Sequence, residues 1–143
     1  VTVLGSVAHD SVVAAFQHAL FAVLPSEWMD PCPTTVLEAM ALGTPVVTTR
    51  IGGMVDILDG TDAGLLVAPA DAAALRDALD TVGSDSDRRA TMAQAARRRV
   101  RDFTVGVVAE GLEKVYVQVL SNRSQDTPAH RAGAEPSGPA RDG

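Results

Sequence analysis

The chain has 143 residues, a net charge of −6, 46% hydrophobic residues and only 3% aromatic ones. That length holds one domain or part of one, and the acidic balance argues against a nucleic-acid partner, whose footprint is a basic face. The one cysteine, Cys32, excludes an internal disulfide framework and fits a reducing compartment, and no apolar run reaches the roughly 20 residues that a membrane-spanning helix needs.

Residues 1–4 read as a buried strand stopped by Gly5. Val12, Val13, Phe16, Ala19 and Leu20 recur at helical spacing and predict a helix over residues 11–20. Residues 21–24 form a short apolar run ended by Pro25, the pattern of a parallel strand. Thr34 or Thr35 is placed to cap a helix carrying Glu38, Met40 and Ala41, and Gly43 ends it. Residues 46–49 are the next strand, Gly52-Gly53 is a glycine turn, and residues 55–58 are at most one helical turn. Residues 64–67 are the last strand.

Three helices follow. Asp71 caps the first, whose inner face is Leu75, Ala78, Leu79 and Val82. Ser84 and Asp87 suggest a capping box for the second. Its inner face is Met92, Ala96 and Val100, and Arg97, Arg98, Arg99 and Arg101 crowd its end, where cations suit the helix dipole. Thr104 caps the third, with Val108, Leu112, Val115 and Val119 inward. Residues 121–143 contain no Val, Ile, Leu, Met or aromatic residue and are expected to be disordered. The expected organisation is a partial binding domain over residues 1–120 and a tail over 121–143.

Alternating strands and helices imply an α/β fold with a parallel sheet and right-handed crossovers. Ligands in such sheets bind beyond the carboxyl ends of the strands. Gly5, residues 26–35 and residues 50–53 all follow strand ends, so the candidate residues converge on one edge. Within them Asp30 on a loop and Glu38 on the next helix present two carboxylates. Carboxylates accept hydrogen bonds from sugar and ribose hydroxyls, and a helix N-terminus attracts phosphate. Positive charge is scarce here: the first Arg is Arg50 and the only Lys is Lys114. A phosphate site would have to use backbone N–H groups and the helix dipole.

The run Glu38-Ala39-Met40-Ala41-Leu42-Gly43-Thr44-Pro45-Val46-Val47, preceded by Pro25-Ser26 and a loop acid, resembles a known donor-binding segment. It is that of retaining, nucleotide-sugar-dependent glycosyltransferases with the GT-B fold, of the family 4 type. The resemblance continues through Gly52-Gly53 and residues 64–67 to Tyr116. Asp30 stands where that family usually has Glu, and Cys32-Pro33 where it has Phe-Gly.

The resemblance implies the C-terminal half of a GT-B fold, a partial Rossmann-like sheet with flanking helices. Its full sheet has six strands in the order 3-2-1-4-5-6. Residues 1–4 would be strand 3, without a native neighbour. Residues 21–24, 46–49 and 64–67 would be strands 4, 5 and 6, paired side by side with 46–49 in the middle. The family's N-terminal acceptor domain, and the Arg and Lys that grip the diphosphate, are expected upstream.

The site residues follow from the same resemblance. Glu38 would take the ribose hydroxyls. Asp30 is the catalytic candidate, meeting donor-sugar hydroxyls and offsetting positive charge at the anomeric carbon; a simple loop cap before Pro31 is the other reading. Thr34 and Thr35 would offer donors to the diphosphate, beside Pro33, which lacks the N–H of the family's Gly. Gly5 and Ser6 would border the base, and Gly52 and Gly53 would line the pocket. Asp56 reads as a surface acid and Cys32 as a small loop residue. His9, His18 and His130 form no metal-ligand cluster, and the arginines read as a solvated helix end, with anionic lipid or another domain as alternatives.

The expected function is a hexosyltransferase. The intact protein would move a sugar from a nucleotide diphosphate sugar to an acceptor hydroxyl with retention, using no cofactor or metal. This chain would supply much of the donor site and be inactive alone. A non-catalytic nucleotide-binding module is the alternative, and the Asp30–Glu38 pair argues against a related epimerase. The expected location is cytoplasmic, with peripheral membrane attachment and the identity of the acceptor left open.

Overall fold

The structure, a computed structural model, describes residues 2–125. It divides into two compact units, one ending at Val107 and one beginning at Val108. The first holds a parallel sheet of β1 (Ala22–Leu24), β2 (Val46–Thr49) and β3 (Gly64–Val67), in the order β1-β2-β3. The helices are α1 (His9–His18), α2 (Thr34–Leu42), α3 (Gly53–Leu58), α4 (Ala72–Ser84), α5 (Ser86–Arg99) and α6 (Val105–Gln125), with a 3-10 turn over Val100–Phe103.

The expected strand neighbours are present. Ala22 lies opposite Val46 and Leu24 opposite Thr48, while Val46 lies opposite Gly64 and Thr49 opposite Val67. All four residues of β2 are buried, so this strand carries the core on both faces. Successive side chains point to opposite sides of a sheet. Val46 accordingly packs with Val36, Met40, Ile57 and Ala96, and Val47 with Val67, Ala78, Val82 and Met92.

The first of these clusters places α2, α3 and α5 on one face. The second places α4 on the other, along the apolar stripe expected for it. Gly43 closes α2 at φ 76°, a left-handed conformation that glycine adopts without Cβ strain. Its N–H bonds Met40 O at 2.9 Å, and the Thr44 N–H bonds Ala39 O at 2.9 Å.

Several local expectations are corrected. Residues 2–4 form no strand, and Val3 and Leu4 are 88% and 74% exposed. A strand needs a ladder partner, and β1 pairs with β2 alone among the described residues. The N-cap of α2 is Pro33, and neither threonine hydroxyl caps the helix. Thr34 and Thr35 already lie inside its first turn, whereas a capping side chain needs the extended residue before it.

Asp85, not Ser84, caps α5: its Oδ1 accepts the Arg88 N–H at 2.8 Å. Ser84 instead ends α4 and donates its hydroxyl to Asp80 O at 2.7 Å. Asp71 caps α4 as expected, accepting the Ala74 N–H at 2.8 Å.

In the second unit, α6 runs to Gln125, past the expected boundary at 120, because its hydrogen bonds are internal and need no apolar partner. Val108, Leu112, Val115 and Val119 are about half exposed. The remainder of the expected tail, 126–143, lies outside the described residues.

Candidate functional site

The loop after β1 is tied down by the end of β2. The Thr48 hydroxyl donates to Leu24 O at 2.6 Å, and the Thr49 hydroxyl donates to Ser26 O. Both threonines are buried, so these bonds satisfy hydroxyls that water cannot reach. Further along, the Ser26 Oγ accepts the Trp28 N–H at 3.0 Å. Asp30 Oδ1 accepts the Cys32 N–H at 2.9 Å, so this acid does cap its own loop. That bond uses one carboxylate oxygen and leaves the other without a hydrogen-bond partner among the described residues.

The turn after β2 closes on the same loop. The Gly53 N–H donates to Asp30 O at 2.8 Å. Gly52 stands at φ 54°, ψ −145°, a conformation open essentially to glycine. A Cβ on Gly52 would lie 2.6 Å from Asp30 O, and one on Gly53 would lie 2.3 Å from Pro31 O. The glycine pair therefore lets two backbones touch.

A cleft of about 340 Å³ opens where these pieces meet, lined by Leu24, Ser26, Asp30, Pro33, Thr35 and Met54, among others. Three of the expected site residues, Asp30, Pro33 and Thr35, thus share one wall at the carboxyl end of β1. Gly52 and Gly53 do not line it but touch the backbone of Asp30 and Pro31. Thr34 is exposed beside Thr35 in the first turn of α2, where N–H groups have no intrahelical acceptor.

The other expected residues stand apart from this cleft. Glu38 lies one turn further along α2, half-buried, with Oε1 4.0 Å from the Nε2 of His9 on α1. Gly5 and Ser6 are exposed and do not line the cleft. Sequence reading missed His9 as a neighbour of Glu38, because their approach depends on how α1 crosses α2. Met54 was also missed, although its place directly after Gly53 is a usable signal.

A second cleft of about 250 Å³ lies at the ends of β2 and β3, lined by Glu27, Thr49, Val67, Asp71 and Leu75, among others. Asp71 is engaged through Oδ1 as the cap of α4, as Asp30 is in its own loop. Among the described residues no Lys or Arg lines either one. Arg50, the first cation in the chain, pairs instead with Asp59 at 2.8 Å.

Among the described residues no group of three or more His, Cys, Asp or Glu could hold a metal ion. His130 lies outside those residues. Cys32 is a free, exposed thiol. No described helix is long and apolar enough to cross a membrane.

The family model described as glycosyl transferases group 1 matches residues 1–99, which contain β1 to β3, both clefts and every expected site residue. The chain belongs to this family. A glycogen synthase of Mycobacterium tuberculosis is 35% identical over 126 residues, covering 87% of this chain and 30% of the relative. A D-inositol 3-phosphate glycosyltransferase of Corynebacterium aurimucosum is 35% identical over 122 residues, covering 85% of this chain and 28% of the relative.

Among solved structures, a sucrose-phosphate synthase from Thermosynechococcus elongatus superposes with a TM-score of 0.72 at 30% identity. The match covers 85% of this chain and 30% of that one. Anabaena HepE in complex with UDP and glucose superposes with a TM-score of 0.55 at 25% identity, over 69% of this chain and 26% of that one. The fold is that of GT-B glycosyltransferases, and the chain spans under a third of the length of these relatives.

Proposed function

We propose that the protein carrying this chain is a retaining hexosyltransferase, moving a sugar from a nucleotide diphosphate sugar to an acceptor hydroxyl. Residues 1–120 supply much of the donor site in this reading. The observation that carries it is the closure of the Gly52-Gly53 turn on the Asp30 loop, around a cleft at the carboxyl end of the sheet. Asp30 faces the sugar with the oxygen that its loop bond leaves available. Thr34, Thr35 and the first turn of α2 offer N–H groups to the diphosphate, beside Pro33. Glu38 accepts from the ribose hydroxyls, and Gly5 and Ser6 approach the base.

Catalysis is then a matter of position and electrostatics: the site orients the sugar and offsets charge on the departing diphosphate. The names of the relatives support sugar transfer, and UDP and glucose in the Anabaena HepE complex support a donor of that kind. The lone cysteine supports a cytoplasmic location. Most of the relatives' length lies outside the match, so this chain alone is proposed to bind donor without turnover, the acceptor being held elsewhere.

Calorimetric titration of this chain with UDP-glucose tests the donor site. Glu38→Ala is expected to weaken binding by about 1.5–3 kcal/mol, the scale of hydrogen bonds to a charged group. Unchanged affinity would remove Glu38 from the site. The anomeric configuration of the product formed by the whole protein tests retention.

A second reading, binding without any turnover, is favoured by two observations. Asp30 spends one oxygen on its own loop, and Pro33 offers no N–H. Release of UDP by the whole protein in the presence of acceptor separates the two.

A further inference from the structure

Of the arginines at the end of α5, Arg98 and Arg101 are exposed, but Arg97 and Arg99 fold back onto other helices. Arg99 reaches back across 42 residues and donates Nε to Ile57 O at 2.9 Å. Its Nη2 donates to Asp56 O at 2.7 Å. Asp102 Oδ2 holds Nη1 at 2.7 Å, and the guanidinium lies 4.9 Å from the centre of the Phe103 ring. Both accepting carbonyls belong to the last turn of α3. Arg97 does the same for α2, donating Nη2 to Leu42 O at 2.8 Å.

We propose that Arg99 is a positioning residue for the glycine turn and, through it, for the Asp30 loop. The connection between them is α3. That helix has six residues, too few to be stable alone. Its ends must be held from outside; Thr61 donates its hydroxyl to Leu58 O at 2.7 Å, and Arg99 holds the two carbonyls before it. At the C-terminal end the Arg99 fork satisfies two carbonyls that would otherwise lack partners, with a charge that suits the dipole. At the N-terminal end the Gly53 N–H bonds Asp30 O, and Met54 forms part of the cleft wall.

Between these ends α3 acts as a short rigid strut. Its buried residues Met54, Ile57 and Leu58 leave it little freedom to adjust internally. Releasing one end therefore loosens the other. The link from Asp30 to a bound donor rests on the function proposed above; the link from Arg99 to Gly53 does not.

The test compares Arg99→Met, Arg99→Lys and Arg97→Met in the full chain, using residue-resolved amide hydrogen exchange. The reference is the Ala22 N–H at the start of β1, which bonds Pro45 O at 2.8 Å and belongs neither to α3 nor to the turns at its ends. Arg99→Met is expected to speed exchange at Gly53 about tenfold or more, as loss of a charged cap implies, and to leave Ala22 unchanged. Arg99→Lys recovers part of the protection, since one ammonium replaces a two-pronged fork. Arg97→Met leaves Gly53 unchanged.

Equal acceleration at Gly53 and Ala22 would mean a general loss of stability and would overturn the proposal, as would no change at Gly53. Should Arg99→Met fail to fold, Arg99→Lys carries the same comparison. The UDP-glucose Kd should rise in step with Gly53 exchange across the three variants. If the unmodified chain does not bind UDP-glucose, the donor reading falls, while the exchange pattern still decides the role of Arg99.

Discussion

At Gly52 the backbone conformation and the nearness of Asp30 O make the same demand. An alanine there would be strained by its φ and would press its methyl into a backbone carbonyl. Gly52→Ala is expected to destabilise the fold by about 1–3 kcal/mol, the cost of holding such a conformation. Urea denaturation measures this, and a loss within error would mean that the turn can relax away from the loop. Asp30 poses a different question, because its loop bond is seen and its meeting with a sugar is proposed. Asn keeps the oxygen that accepts from Cys32 and removes only the charge. Asp30→Asn should therefore preserve the loop and lower turnover more than donor affinity. Steady-state kinetics of the whole protein with donor varied would show this, and undiminished turnover would leave Asp30 as a loop cap alone.

Among the elements, the helix starts can be ranked. Asp71→Ala and Asp85→Ala each remove an observed N-cap bond and should cost about 1 kcal/mol. Ser84→Ala should cost almost nothing, because Ser84 only back-bonds within α4; thermal unfolding of the three variants checks the order. These pairs also mark what the sequence made legible. Strand identity could be read from short runs closed by Pro25, Arg50 and Pro69, and strand order from the family resemblance. Gly43 and Asp71 could be read because each acts on its own neighbours. Ser84 and Asp85 could not be told apart, since both are good caps and one residue of helix phase decides between them. Residues 1–4 misled because strand-like composition does not supply a strand to pair with. Arg97 and Arg99 were opaque for a related reason: their partners lie 55 and 42 residues away. In the site, the Asp30 loop and the glycine turn were legible as separate motifs, but not the bond between them. The nearness of His9 to Glu38 likewise waits on a helix crossing.

For the whole molecule, the described sheet has two edges and one interior strand. Val23 on β1 is 38% exposed, and β1 pairs only with β2, so its outer side presents backbone groups that favour edge-to-edge association. Val23→Lys should reduce self-association, read by light scattering as a function of concentration. A variant that associates as readily as the unmodified chain would place the sticky surface elsewhere. The interior strand has a further consequence, which concerns time rather than stability. β1 and β3 each bond to β2 and not to one another, so neither ladder can begin until residues 46–49 are extended and in register. β2 is then an obligatory early participant in folding, and the two edges are free to join it in either order. Val47→Ala should slow refolding, whereas Leu65→Ala on β3 should act mainly by speeding unfolding. In stopped-flow chevrons the first variant lowers the folding arm and the second raises the unfolding arm.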